Sequence, residues 1–333
     1  MVGETFSTIM ASGSTWSNKD NPVPVIQIGK SGESGSIEWS DMLVQTQGAT
    51  PGAKIIEYNL NTQRGSGIWD VHTRLGGTKG SALQVAQCPV GSVNANCMVA
   101  HTNVHITKSA SGAYFENNWF WVRPPFPTPQ NHPKLTFSQT ADHDVDDWNS
   151  TRVAVFSGRG MHVEATNTFL WASGVEHHAL YQYQFNDATN IFAGFIQTET
   201  PYYMPNPDAR SQPFGRSDAF SDPNYNTACP AGAVCDAFGL RVLNSRNVMI
   251  YGGGLYSFFR NYDVSCSSPD VPNGARNCQN RIFSIEGQSS VQWFALNQVG
   301  AEQMVTIDGQ DKAKWSDNLS VYTNTIGYFT YRA

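Results

Sequence analysis

Charged side chains are scarce in this sequence, at 14% of 333 residues against the ~25% usual for a globular domain. Its 21 basic residues are outnumbered by 27 acidic ones, giving a formal charge of −6, and no lysine or arginine run occurs. A nucleic-acid partner needs a concentrated basic surface, so that class is excluded. No apolar stretch approaches the roughly 18 residues of a membrane span, which argues against a membrane partner. There is no C-x-x-C and no histidine at ligand spacing from a cysteine pair, so the pattern calls for no metal and no cofactor. Helical periodicity is hard to find. The opening Met1-Val-Gly-Glu-Thr-Phe6 has neither the basic nor the apolar region of a signal peptide, and the expectation is a chain that lacks its natural beginning.

What is present is a 40% hydrophobic, 12% aromatic chain, enough for a large core. It is rich in Asn, Ser, Thr and Gly, the composition of extracellular, strand-rich proteins. Six cysteines form three local couples, Cys88 with Cys97, Cys229 with Cys235, and Cys266 with Cys278, each bracketing a short loop. Closing short loops costs least entropy, so three local disulfides are expected, as in an oxidising compartment. Sequons at Asn149 and Asn318 fit a glycoprotein on a secretory route.

Short β-branched and aromatic runs recur between Gly, Asn, Asp and Ser, at Val25–Ile28, Ile37–Gln45, Lys54–Leu60, Val99–Ile106 and Val153–Phe156. A loose repeat links Asn186–Gly194, Asn244–Gly252 and Gly287–Ala295, each a polar turn followed by an alternating strand. Stacked parallel coils account for it, because a corner Asn can bond its counterpart one coil away. An antiparallel sandwich uses strands of the same length but favours tight hairpin turns, which are scarce here. The fold expected is all-β, a right-handed parallel β-helix, with residues 1–333 as one domain. One segment interrupts it: 122–139 holds five of the 17 prolines in 18 residues, and proline cannot donate to a strand ladder.

The densest polar region spans residues 142 to 199. Asp142-His-Asp-Val-Asp-Asp147 lacks the Gly and terminal Glu of a calcium loop, and Asp favours solvated turns. On a strand, His177 and His178 would face opposite ways while Glu176 and His178 share a face. Glu199, with Gln197 on its face, follows Glu176 by 23 residues, about one coil, which would place the two glutamates on neighbouring strands ~4.8 Å apart. Paired carboxylates at that separation suit glycosidic bond hydrolysis, of either stereochemical outcome. Trp119 and Trp121 share a face, and Tyr202 and Tyr203 follow Glu199; such aromatics can stack on sugar rings, although a core role is commoner for any one of them.

Taken together, Trp119-Phe-Trp121, Thr140-Ala-Asp-His-Asp-Val-Asp-Asp147, Ser157-Gly-Arg-Gly160, Val175-Glu-His-His178, Tyr181-Gln-Tyr-Gln184, Gln197-Thr-Glu-Thr-Pro-Tyr-Tyr203 and Pro205-Asn-Pro207 resemble glycoside hydrolase family 55. So do Gly35–Met42, Trp69–Arg74, Leu83–Cys88 and Gly254–Phe259. These are mostly fungal, secreted β-1,3-glucanases (laminarinases) built from two tandem β-helix domains, and this chain resembles only the second, C-terminal one. The resemblance implies a β-1,3-glucan substrate, exo-acting and inverting hydrolysis, and a partner N-terminal β-helix domain that is missing here. It implies Glu199 as general acid and Glu176 as the residue holding the attacking water. Around them it implies a substrate-binding set of Tyr202, Trp121, Trp119, Asp142, His143, Gln197 and His178. Residues 122–139 have no counterpart in the family pattern. Their codons can supply an intron's donor, branch point and acceptor, so a retained intron translated in frame is expected there. Two other readings stand beside the glucanase: a catalytically inert β-helix fragment that at most binds glucan, and a polysaccharide lyase using Arg159 near the Asp cluster.

Overall fold

The computed structural model describes residues 1–62, 65–91, 93–122, 152–267, 276–320 and 322–333. Asp142, His143, the rest of the 142–147 cluster, Asn149 and all but the first residue of 122–139 lie outside the described residues.

The chain is all-β, with its strands in two large sheets. One sheet runs through Val2–Ser12, Glu38–Gln47, Gly67–Arg74, Trp119–Trp121, Gly174–Glu176, Thr189–Glu199, Arg246–Tyr256, Ser290–Val299 and Asn324–Arg332. The other runs through Val23–Ile28, Ala53–Tyr58, Met98–Ile106, Phe156–Val163, His178–Asn186, Phe238–Leu243, Phe283–Glu286 and Ala301–Ile307, with Gln279–Arg281 beyond. The chain alternates between the sheets and rejoins each one strand further on, so neighbours pair in parallel. Among the described strands, only Asn324–Arg332 and Gln310–Lys314 join a neighbour antiparallel. The strands carry almost continuous apolar side chains between the sheets, with Ile68, Phe115, Leu170, Ile191, Val248 and Val291 fully or almost fully buried. That is the pattern parallel strands need when one face is sealed from water along its whole length.

Two stacks of left-handed residues set the shape. Asp41, Asp70, Asn117, Ala172, Phe195, Gly252 and Ala295 all have φ between 50° and 64°. Strand register places them above one another, so the first sheet bends at the same position on successive rungs. A second stack holds Asn167, Asn190 and Asn247, also left-handed, a conformation Asn tolerates better than most residues. Asn190 donates to Asn167 at 2.9 Å and Asn247 to Asn190 at 2.7 Å. This is the corner ladder the repeat implies. The register differs from the repeat by one residue, however: Asp187, not Asn186, lies level with Asn244, because Ile191, Val248 and Val291 align inside. A one-residue slip would turn every side chain over, so the buried row decides.

Four of the five expected strands appear with ends shifted by a few residues. Val153–Phe156 does not; its strand begins at Phe156 and runs to Val163. All three local cysteine couples are disulfide-bonded. Among the described residues, one four-residue α-helix occurs, Tyr225–Ala228. It belongs to the excursion 200–237, which covers the outer face of the second sheet. There Asp222 grips Arg159 with both carboxylate oxygens, and Phe220 packs on the rings of His101, His105 and His162. Arg159 is buried with Asp222 on this face, whereas Glu176 and Glu199 stand on the other sheet. It therefore supplies no basic group to these two glutamates; the Asp cluster with which the lyase reading pairs it lies outside the described residues.

Burial pushes the imidazoles of His101 and His178 down to about 2 and about 3, and takes His162 well below its usual range. Each stays neutral in the folded chain and is protonated in the unfolded one below pH 6.5. Burial holds Asp236 in its acid form, which works the other way. Three histidines against one carboxyl leave the unfolded chain with about two extra protons. The histidine contribution is therefore complete above pH 6.5 and is lost as pH falls toward the folded-state values, with Asp236 offsetting part of that loss. Denaturant unfolding should show a fall of roughly 1.5 kcal/mol between pH 6.5 and 5.5; a flat profile would contradict it.

Candidate active site

Four strand ends of the first sheet lie side by side at one polar cluster. Trp121, Glu176, Glu199 and Tyr256 are register partners on successive strands, and Trp119, Gly174, Gln197 and Gly254 form the row beside them. The two glutamates are therefore directly adjacent, as the 23-residue spacing implies. One oxygen of each lies within 4.8 Å of the other.

Neutral donors hold both carboxylates. Trp119 Nε1 donates to Glu176 Oε2 at 2.8 Å, and Gln197 Nε2 bridges Glu176 Oε1 at 3.0 Å and Glu199 Oε1 at 3.3 Å. Tyr202 donates its hydroxyl to Glu199 Oε2 at 3.4 Å. A Cβ on Gly174 would crowd the Trp119 indole at 3.1 Å. Trp121 is buried against Trp119, ring centroids 4.1 Å apart. Beneath the site, burial first and the Glu176 charge second raise the Tyr183 phenol well above its usual range.

The histidine that touches Glu199 is His177, which the sequence reading passed over. Its Nε2 lies 3.3 Å from Glu199 Oε2, its backbone N–H donates to the Glu199 carbonyl at 2.9 Å, and its ring packs on Tyr202 at 4.4 Å. His177 has φ 68°, an uncommon conformation for a side-chain-bearing residue. That kink ends one strand at Glu176 and starts another, in the other sheet, at His178. The simple alternation that put Glu176 and His178 on one face fails there. His178 is buried instead, with Ser157 Oγ 2.8 Å and the Phe120 carbonyl 3.3 Å from its ring nitrogens. Tyr203 also turns away, onto Phe156 at 4.8 Å.

A surface cavity of ≈ 240 Å³ opens on this cluster, lined by residues that include His72, Asn118, Trp119, Glu176, Phe195 and Gln197. Among the described residues, Glu176 belongs to the cavity lining although fully buried, and Glu199, which does not line it, is 6% exposed. Glu176, His177 and Glu199 also form a set of oxygen and nitrogen atoms close enough to hold a metal ion, as do His105, His162 and Glu164 on the second sheet. Both site carboxylates accept hydrogen bonds, Glu176 from Trp119 and Gln197 and Glu199 from Gln197 and Tyr202.

No family model matches the sequence. Over 333 residues, 99% of this chain, it is 62% identical to a glucan 1,3-beta-glucosidase of Cochliobolus carbonum, of which it covers 39%. It is 34% identical, over 99% of its length, to a probable glucan endo-1,3-beta-glucosidase of Arthroderma benhamiae, covering 35% of that protein. Among solved structures, sacteLam55A from Streptomyces sp. SirexAA-E matches 92% of this chain and 48% of its own, at 14% identity and a TM-score of 0.44. The chain thus spans well under half the length of the curated relatives it matches.

Proposed function

We propose that this chain is the catalytic part of a secreted, family 55 type β-1,3-glucan hydrolase, coiled as a right-handed parallel β-helix. A second β-helix domain, outside this chain, would complete its cleft. The observation that carries the proposal is the pair of register-matched glutamates, one of them in the lining of a cavity that Trp119 also walls. Its support is the 62% identity to a protein named for 1,3-β-glucoside hydrolysis. In the reaction, Glu199 gives its proton to the glycosidic oxygen as the bond to the anomeric carbon breaks. Glu176 takes a proton from the water that attacks that carbon from the opposite face. Trp119 and Gln197 hold Glu176 in place for this.

Inverting sites keep their carboxyl groups roughly 6.5–9.5 Å apart to admit the water, and here oxygens lie within 4.8 Å. That distance is between single oxygens rather than carboxyl groups; widening the pair to admit the water would break the Gln197 bridge. One observation favours the alternative, an inert fragment that at most binds glucan: among the described residues, only Glu176 of the pair lines the cavity.

Laminarin with purified chain tests both readings. Reducing sugar release, with one-residue products of inverted configuration by NMR, is the expected result for the exo-acting, inverting enzyme. Retained configuration would overturn inversion. No release, even with a relative's missing N-terminal portion supplied, would leave the inert fragment.

A further inference from the structure

We propose that the first sheet carries a second binding surface for a neutral glucan, an aromatic stripe leading across the rungs to the catalytic cavity. This rests on the reading that the chain acts on β-glucan. Phe169, Phe192 and Met249 stand side by side on successive strands, and in the next row Trp171, Tyr251, Phe294 and Tyr328 do the same, with Gly194 between Trp171 and Tyr251. These rings are exposed: Trp171 37%, Phe195 54%, Tyr251 52% and Tyr328 51%. They form an unbroken chain of contacts, Trp171 to Phe195 at 5.2 Å, Phe195 to Tyr251 at 6.2 Å, Tyr251 to Phe294 at 5.9 Å and Phe294 to Tyr328 at 4.8 Å. Five rungs at ~4.8 Å give a track about 19 Å long.

Three features point to a sugar polymer as occupant. First, from the Trp171 rung to the Tyr328 rung, the two aromatic rows and the bend beside them contain no charged side chain. An anionic polymer has nothing there to pair with; a neutral polyhydroxylated one needs no counter-charge. Second, the rings are laid down rather than raised. A Cβ on Gly194 would strike the Trp171 indole at 2.6 Å, so the missing side chain lets that ring lie across the sheet, stacked at 11° on Phe192. A ring lying flat offers its negative face to the C–H groups of a pyranose. The amides of Asn167, Asn190 and Asn247 run alongside as exposed hydrogen-bonding groups. Third, the stripe is continuous with the candidate site, because Phe195 belongs to both the stripe and the cavity wall. An exposed apolar track of this extent marks a binding surface, and its near-exclusive use of aromatics, without Leu, Ile or Val, is unlike a packed interface between domains.

The test is affinity electrophoresis of the full chain in native gels with and without laminarin. Wild type should be retarded by laminarin. A Tyr251→Ala/Phe294→Ala variant, with its unfolding transition intact, should bind about tenfold or more weakly, as for loss of two anchor residues. Tyr251→Phe should bind as wild type, and Glu176→Gln should keep its retardation. Wild type that is not retarded, or a double variant retarded normally, overturns the proposal. So does a double variant that loses only self-association by light scattering, which would make the stripe a protein interface. If retardation behaves as expected while laminarin is not hydrolysed, the surface stands and the catalytic reading fails.

Discussion

Glu199→Gln should lower laminarin hydrolysis by roughly 10²–10⁴-fold, the contribution of a positioned general acid, while the melting temperature barely moves. Glutamine keeps the shape and the contacts with Gln197, Tyr202 and His177 but has no proton to deliver. The leaving sugar must then depart as a poorly stabilised alkoxide. Glu176→Gln should cost a similar factor for a different reason, since its water would no longer lose a proton as it attacks. The two can be separated with a substrate whose leaving group needs no protonation, such as an activated aryl glucoside. That substrate should rescue Glu199→Gln and leave Glu176→Gln slow. Near-normal turnover of laminarin by Glu199→Gln would end its assignment as the acid.

Asp222→Ala should destabilise the fold by about 3–5 kcal/mol, because it leaves the buried Arg159 guanidinium without its carboxylate. Arg159 donates through Nε to Asp222 Oδ1 at 2.8 Å and through Nη2 to Oδ2. Its remaining partners are the ring nitrogen and carbonyl of His101, neither of which neutralises the charge. A chain of this size should then melt roughly 5 °C lower. The pair anchors the excursion 200–237, which also carries Tyr202 to Glu199, so activity in this variant should fall at a lower temperature than in the parent. A melting temperature within a degree or two of the parent by calorimetry would show that the excursion is held by its apolar contacts alone.

Much of this molecule can be read from its sequence where the physics is local. Short cysteine loops, a repeating corner asparagine and a 23-residue interval between glutamates each fix one neighbour relation, and the structure has all three. Reading fails where a single backbone angle overrides a pattern. His177, at φ 68°, interrupts strand alternation, so period-two counting selected His178 and missed the histidine that touches Glu199. The Arg159–Asp222 pair joins residues 63 apart through an irregular excursion, and no periodicity reports such a contact. The aromatic stripe was hidden for a related reason: its members are far apart in sequence and meet only when the register is known.

The recurring bend of the first sheet has a consequence for how such a molecule tolerates change. Because each rung turns at the same place, a rung resembles one card in a deck, exchangeable without re-aiming those above and below. Outward side chains can drift on most cards while the deck keeps its outline. The proposed chemistry is written on just two of them, those ending in Glu176 and Glu199, so innovation can be confined to two neighbouring cards with the rest left in place as a ruler.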